Sequence, residues 1–448
     1  MQIKQWDLAI TGGTLLTMSE SMEVIKNPVI GIKDGLIAAI LPAADKQNIG
    51  SSAKEIIDAE GCVIMPGLVN THTHLPMVCF RGMADDLTLM DWLHHHIFPA
   101  EARFVNKQMV YDGSILAMAE MILSGTTTFC DGYFFEGKIG QAALHSGMRA
   151  VIAQGFIDFP ISDNNGNADN RAIAERFVAN WQDSSPLITT AFFCHAPYSC
   201  SPATLFTVKE AARRAGIPWL IHLLENKDEI DTIRQRYGRK PVQHLQQLGV
   251  LDEQTIAVHC NWVDDEDMDI FAELGVKVSH NPESNMKLAT GVAPVPAMLK
   301  RGIDVGLGTD GSASNNDLDM FREMDTAAKI HKVTTFDPTV MSAPTVMKMA
   351  TIGGARVLGL EKRIGSIEVG KEADIILVDM KKPHLTPLYN CCSQLVYAAS
   401  GTDVKTSIIG GKIVMKDRQL LTIDVERAMK NVRAIAAEIK SGQKKHPG

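Results

Sequence analysis

From Cys62 to Thr309 the chain alternates two patterns: apolar runs of five to eight residues, and longer stretches in which apolar positions recur every three or four residues. An uninterrupted apolar run suits a strand buried on both faces, and the longer period is that of an amphipathic helix. The runs are Cys62 to Val69, Gly125 to Cys130, Ala150 to Phe156, Leu187 to Cys194, Trp219 to Leu223, Thr255 to His259, Val276 to His280 and Val305 to Thr309. Eight strand-and-helix units in succession predict a parallel sheet wound into a TIM-type (β/α)8 barrel.

The flanks read differently. Asp7 to Met18 predicts a hairpin around Gly12-Gly13, and Val29 to Ile40 a second around Asp34-Gly35. Strand-like runs return at Ala373 to Asp379 and at Ser407 to Met415. Strands from both ends of the chain are expected to pair in one small β-sandwich domain. The expected division is 1–61 and 369–448 for that domain and 62–368 for the barrel. Met341 to Gly359 has helical periodicity, Asp424 to Lys440 reads as an amphipathic terminal helix, and Ser441 to Gly448 as a frayed tail.

Polar and ionisable residues gather where the eight runs stop: His72 and His74, Asp131, Asp158, His195, His222, His259, His280 and Asp310. Titratable groups at one end of successive buried strands imply a shared site at the carboxyl face of the barrel. In Val69-Asn70-Thr71-His72-Thr73-His74 two histidines two apart on an extended segment project to the same side, which is half of a metal site. Alone, the pair reads more readily as histidines that merely cap a strand. His222 and Asp310, at the fifth and eighth strand ends, supply the imidazole and carboxylate that a divalent ion favours. Glu225, three residues beyond His222, is placed to move protons without ligating, and His259 to hold the attacking water; their bland alternatives are a helix-start acid and a core histidine. His94-His95-His96 does not read as a further metal site, because adjacent helical positions diverge.

Composition narrows the function. Forty-five per cent of the 448 residues are hydrophobic and 21% charged, enough for a sizeable core and too ordered a mixture for a disordered chain. The net charge of −8 and the absence of Lys/Arg runs argue against a nucleic-acid surface and for a small substrate. Met1 to Asp7 lacks the basic segment and apolar run of a secretory signal, and no later run is long enough to span a bilayer. Eight cysteines without a Cys-x-x-Cys pair read as reduced and structural. The expectation is a cytoplasmic, homo-oligomeric enzyme.

The combination Pro66 to His74, His222-Leu223-Leu224-Glu225, Val258-His259-Cys260 and Gly308-Thr309-Asp310-Gly311 resembles the amidohydrolase superfamily. Arg81 to Asp86, Leu89 to Leu93, Asn281 to Leu288 and Thr309 to Asn316 are similar to the methylthioadenosine and S-adenosylhomocysteine deaminases and their chlorohydrolase relatives. The resemblance implies a single divalent ion, zinc with ferrous iron as the alternative, on His72, His74, His222 and Asp310. Two-metal members carry a lysine after the fourth strand, where this chain has Phe193-Cys194-His195-Ala196-Pro197. It further implies that His195 contacts substrate, Glu101 accepts from ribose hydroxyls, Trp92 walls the nucleoside pocket and Arg149 belongs to that pocket. Glu225 would then protonate the adenine ring while His259 and Asp310 steer water, giving hypoxanthine and ammonia. The competing reactions are deamination of a free purine or pyrimidine base and triazine hydrolysis. A non-catalytic relative would have lost a ligand or Glu225, and neither is lost.

Overall fold

The apolar run at Cys62 to Val69 serves two sheets. In the computed structural model, which describes residues 6–42, 53–159 and 169–444, strand Cys62–Pro66 pairs with Ile375–Asp379 and Thr14–Leu16 in a seven-stranded sheet. After Gly67 the chain continues as Leu68–Thr73, the first strand of the barrel. The one strand expected here is thus corrected to two. Both halves are wholly buried, and a continuous apolar run cannot distinguish a sandwich strand from a barrel strand.

The barrel strands are Leu68–Thr73, Thr126–Tyr133, Arg149–Phe156, Ile188–Cys194, Trp219–Leu223, Thr255–His259, Lys277–His280 and Val305–Leu307, hydrogen-bonded in sequence order and parallel throughout. The first strand meets the eighth through two polar side chains and one backbone bond. Thr71 Oγ1 donates to Leu307 O at 2.9 Å, Asn70 Nδ2 to Thr309 Oγ1 at 2.7 Å, and the Asp310 amide to His72 O at 3.0 Å. These contacts satisfy polar groups buried in the first strand, and they fix where His72 and Asp310 stand.

The intervening helices start and stop on local signals. Pro202–Ala215 is capped by Ser201, whose hydroxyl accepts from the Thr204 amide, and ends at Gly216 in the left-handed region. Its Leu205, Val208 and Ala212 face the barrel at the spacing of a helical stripe. The terminal helix, Val425–Lys444, packs on Lys107–Leu123. It runs through Ser441–Lys444, where a frayed tail was expected, and Gly442 O accepts from Arg103 at 3.1 Å. The rest of that tail, 445–448, and the start of the N-terminal segment, 1–5, lie outside the described residues.

The small domain is a sandwich of that seven-stranded sheet on a four-stranded one made of Leu36–Leu41, Val29–Lys33, Trp6–Thr11 and Ala53–Asp58. Ile10, Leu15, Ile30, Ile64, Ile375, Leu377 and Ile408 fill the space between. Asp34-Gly35 forms the expected hairpin, with Lys33 opposite Leu36. Gly12-Gly13 does not, because Trp6–Thr11 and Thr14–Leu16 lie in different sheets. Both glycines have positive φ, 79° and 72°, and a Cβ on Gly13 would stand 2.6 Å from Ala59 O. The pair is a crossing between sheets, and consecutive glycines serve it as well as a hairpin. No helix among the described residues is long and apolar enough to cross a membrane.

Candidate active site

Four side chains converge above the carboxyl ends of the first, fifth and eighth strands. His72 Nε2 lies 3.2 Å from His222 Nε2 and 3.5 Å from Asp310 Oδ1, which is 3.4 Å from His74 Nε2. Ligands about 2.0–2.1 Å from a tetrahedral zinc stand about 3.4 Å from one another, so these separations fit a divalent ion. Two ring nitrogens facing each other need at least one bare lone pair. Burial lowers His72 to about 4 and depresses His74 and His222 as well. Burial alone would raise Asp310, but its bond to His72 and the neighbouring imidazoles hold it well below the usual carboxylate range. Neutral imidazoles and an ionised carboxylate are the protonation states that metal ligands require. His74 Nδ1 sits 2.7 Å from Gly132 O, which assigns the proton to Nδ1 and leaves Nε2 bare.

Asp310 is held from behind. The Ser284 and Ser314 hydroxyls donate to its Oδ2 at 2.6 and 3.0 Å, which leaves Oδ1 toward the histidines. The backbone is crowded here: a Cβ on Gly308 would meet Asn281 Oδ1 at 2.5 Å and the His72 amide at 2.9 Å. Leu224, His259 and Asp310 all have positive φ, 52°, 71° and 61°. Such conformations are uncommon for residues other than glycine and cost of order 1–3 kcal/mol each. Their clustering at three strand ends marks where the fold strains to aim side chains inward.

Glu225 Oε2 lies 3.7 Å from His259 Nε2. Behind them, Asn285 Oδ1 contacts His259 Nδ1 at 2.9 Å, Asn285 Nδ2 donates to Asn261 Oδ1 at 2.8 Å, and Asn261 Nδ2 donates to Glu225 O at 3.0 Å. This chain fixes the acid and the histidine relative to each other. Burial raises Glu225 above the ordinary carboxyl range, which favours its protonated form. His259 is also close enough to His72 and His222 to join them around an ion.

The centre floors a cavity of about 230 Å³ walled by Met77, Leu89, Trp92, Leu93, Ile97, Phe98, Phe134, Phe156, Phe159 and Leu288 among others. Glu101 lines it, and Tyr133 donates to Glu101 Oε1 at 2.6 Å. Burial pushes Glu101 up to about 7, opposed by that bond. His195 lines it too, its Nδ1 2.8 Å from Ser199 Oγ and its ring 5.1 Å from that of His222. Burial lowers His195 to about 3.

Of the sequence-predicted residues, His72, His74, His222, Glu225, His259, Asp310, Trp92, Glu101 and His195 are brought together. Arg149 is not. It opens the third barrel strand at the amino end, only 1% exposed, and its guanidinium donates to Asp374 at 2.7 and 3.0 Å and to Glu372 and Pro186 O. The expectation that Arg149 belongs to the pocket is therefore corrected: it ties the barrel floor to the small domain.

Three other strand-end groups also serve the fold. Asp131 accepts from Thr73 Oγ1 and the Leu75 amide at 2.7 and 2.6 Å, anchoring the turn after the paired histidines. Asp158 accepts from Thr204 Oγ1 at 2.6 Å, and His280 meets His331 at 3.0 Å. The exposed His94 and His95 lie on a π-helical turn, Trp92–Ile97, and none of the three adjacent histidines lines the cavity.

Tyr133, Phe98 and Phe159 were missed. The second strand runs to Tyr133 rather than stopping at Cys130, and residues two apart along a strand share a face. Extending that run was the signal available.

Comparison with known proteins adds what geometry leaves open. The description of the amidohydrolase family matches residues 63–414. A 5-methylthioadenosine/S-adenosylhomocysteine deaminase of Syntrophobacter fumaroxidans is 50% identical over 435 residues, 97% of this chain and 98% of that protein. A 5'-deoxyadenosine deaminase of Methanosarcina acetivorans is 45% identical over 434 residues, again 97% and 98%. The crystal structure of an adenosine deaminase from Xanthomonas campestris with bound zinc superposes with a TM-score of 0.95 at 38% identity, covering 98% of this chain and 99% of that one.

Proposed function

The chain belongs to the amidohydrolase family, and from that premise we propose that it is a zinc-dependent deaminase of adenine nucleosides, yielding the hypoxanthine nucleoside and ammonia. One observation carries the reading: a buried glutamate, Glu225, stands 3.7 Å from His259 beside a three-histidine, one-aspartate ligand set, in a cavity with a second buried carboxylate, Glu101. The relatives named for adenine nucleosides support it.

His72, His74, His222 and Asp310 would hold one ion, and the position after the fourth strand is His195 rather than a lysine that could bridge two. An ion bound there would supply Lewis acidity, lowering the pKa of water toward about 7. Glu225 delivers its proton to a ring nitrogen of the adenine, which makes C6 electrophilic. His259 and Asp310 orient the attacking water and take up its proton, which then passes to the departing amine. Glu101 accepts from the ribose hydroxyls, Trp92 and its apolar neighbours exclude water from the base, and His195 contacts the bound nucleoside.

The test is ammonia release across adenine nucleosides, free purines and pyrimidines, and chlorinated triazines. Turnover concentrated in the adenine nucleosides is expected. Turnover confined to free bases or triazines would overturn the reading.

A further inference from the structure

Residues separated by an odd number of positions along an extended chain point to opposite faces. Yet His222, in the fifth barrel strand Trp219–Leu223, and Glu225, just beyond that strand, line the same cavity. Leu224 makes the difference, because its φ of 52° turns the chain between them. A left-handed backbone at a leucine costs energy and persists only where its surroundings hold it. Here both backbone groups of Leu224 are tied. Its carbonyl accepts from the Trp262 amide at 3.3 Å, and its amide donates to Glu229 Oε2 at 3.1 Å.

The second tie sets Glu229 apart from its neighbours. Glu229 stands in the first turn of helix Asp228–Tyr237, where acids are favoured by the helix dipole without leaving water. Asp228 and Asp231 of that turn are exposed, whereas Glu229 is only 4% exposed. Burial pushes its carboxyl up to about 8, with the Leu224 amide opposing the rise and the nearby Glu225 adding to it. Glu229 is not among the residues that line the substrate cavity.

We propose that Glu229 is a positioning residue: through the Leu224 amide it holds the left-handed turn that brings Glu225 to face the cavity and His259. The proposal rests on the deaminase reading and adds to it a residue outside the cavity. The acting group is an oxygen that accepts a hydrogen bond, so a neutral side-chain amide at this position can serve in its place.

The experiment is a double-mutant cycle on the zinc-loaded protein, with kcat and KM for 5′-methylthioadenosine and zinc content measured for each variant. Glu229→Ala should lower kcat about 10- to 100-fold, the scale of a misplaced catalytic group. KM and zinc content should stay within about twofold. In a Glu225→Gln background no acid remains to be placed, and the same alanine change should lower kcat by less than about twofold. A general packing defect costs the same factor in both backgrounds, so equal losses would overturn the proposal, as would an unchanged kcat in Glu229→Ala. Glu229→Gln keeps the accepting oxygen and should retain at least about a third of the wild-type kcat. A loss of about tenfold or more in this variant also overturns the proposal, and this arm decides the matter if the alanine variant does not fold. No ammonia release by the wild-type protein from any adenine nucleoside overturns the deaminase reading itself, whereas additive losses in an active enzyme remove Glu229 alone.

Discussion

At the scale of single residues the proposed chemistry rests on two buried carboxylates with different tasks. Glu225 faces His259 beside the ligand set, and Glu225→Gln keeps the shape while abolishing proton delivery. Its kcat should fall about 10² to 10⁴-fold with metal content unchanged, read by ammonia release alongside metal analysis. A variant with full metal and more than about a tenth of the rate would remove Glu225 from the role of acid. Glu101, bonded to Tyr133, is the proposed ribose acceptor. Charge-assisted bonds are worth about 1.5–3 kcal/mol each, so Glu101→Ala should lower kcat/KM for ribosyl substrates at least about tenfold and barely touch 2′,3′-dideoxyadenosine. Burial raises this carboxyl to about 7. Below that pH it is protonated and loses an acceptor; above it, it is ionised. The ratio of efficiency toward adenosine over 2′,3′-dideoxyadenosine should therefore rise with pH through about 7, and Glu101→Gln should flatten that ratio. Equal losses for the ribosyl and dideoxy substrates would make Glu101 structural.

Secondary-structure elements explain what the amino-acid pattern could and could not reveal. The barrel strands were legible because full burial demands uninterrupted apolar runs, and Trp219–Leu223 and Thr255–His259 fall where those runs place them. The same rule misread Cys62–Pro66, since a sandwich core also buries both faces of a strand. Arg149 shows a second limit. The third apolar run begins just after it, at Ala150, which puts it at the end of the barrel opposite the site, while a resemblance assigned it to the pocket. The structure spends it instead on Asp374 and Glu372. With Arg149 1% and Asp374 2% exposed, Arg149→Met would strand a buried charge, a loss of about 3–5 kcal/mol. Urea denaturation should show that drop while KM for the nucleoside stays unchanged. A raised KM at unaltered stability would return Arg149 to the substrate.

Over the whole molecule, a sandwich built partly from both ends of the chain carries a barrel whose first and eighth strands are joined by Asn70, Thr71 and Asp310. That closure brings His72 and His74, 200 and more positions before Asp310 in the chain, to within 3.5 Å of its carboxylate. The proposed ligand set was legible in the sequence because each member stands at the end of an apolar run. The groups behind it were not: Asn261 and Ser314 lie in turns and Ser284 and Asn285 in the short helix Pro282–Lys287, none of them at the end of an apolar run. Metal and nucleoside chemistry meet in one measurement: ammonia release from 5′-methylthioadenosine by chelator-stripped protein titrated with zinc. Activity absent after stripping and rising linearly to a break at about one zinc ion per chain is the result that four ligands and a single open position predict. Full turnover without metal, or a break at about two ions per chain, would contradict it.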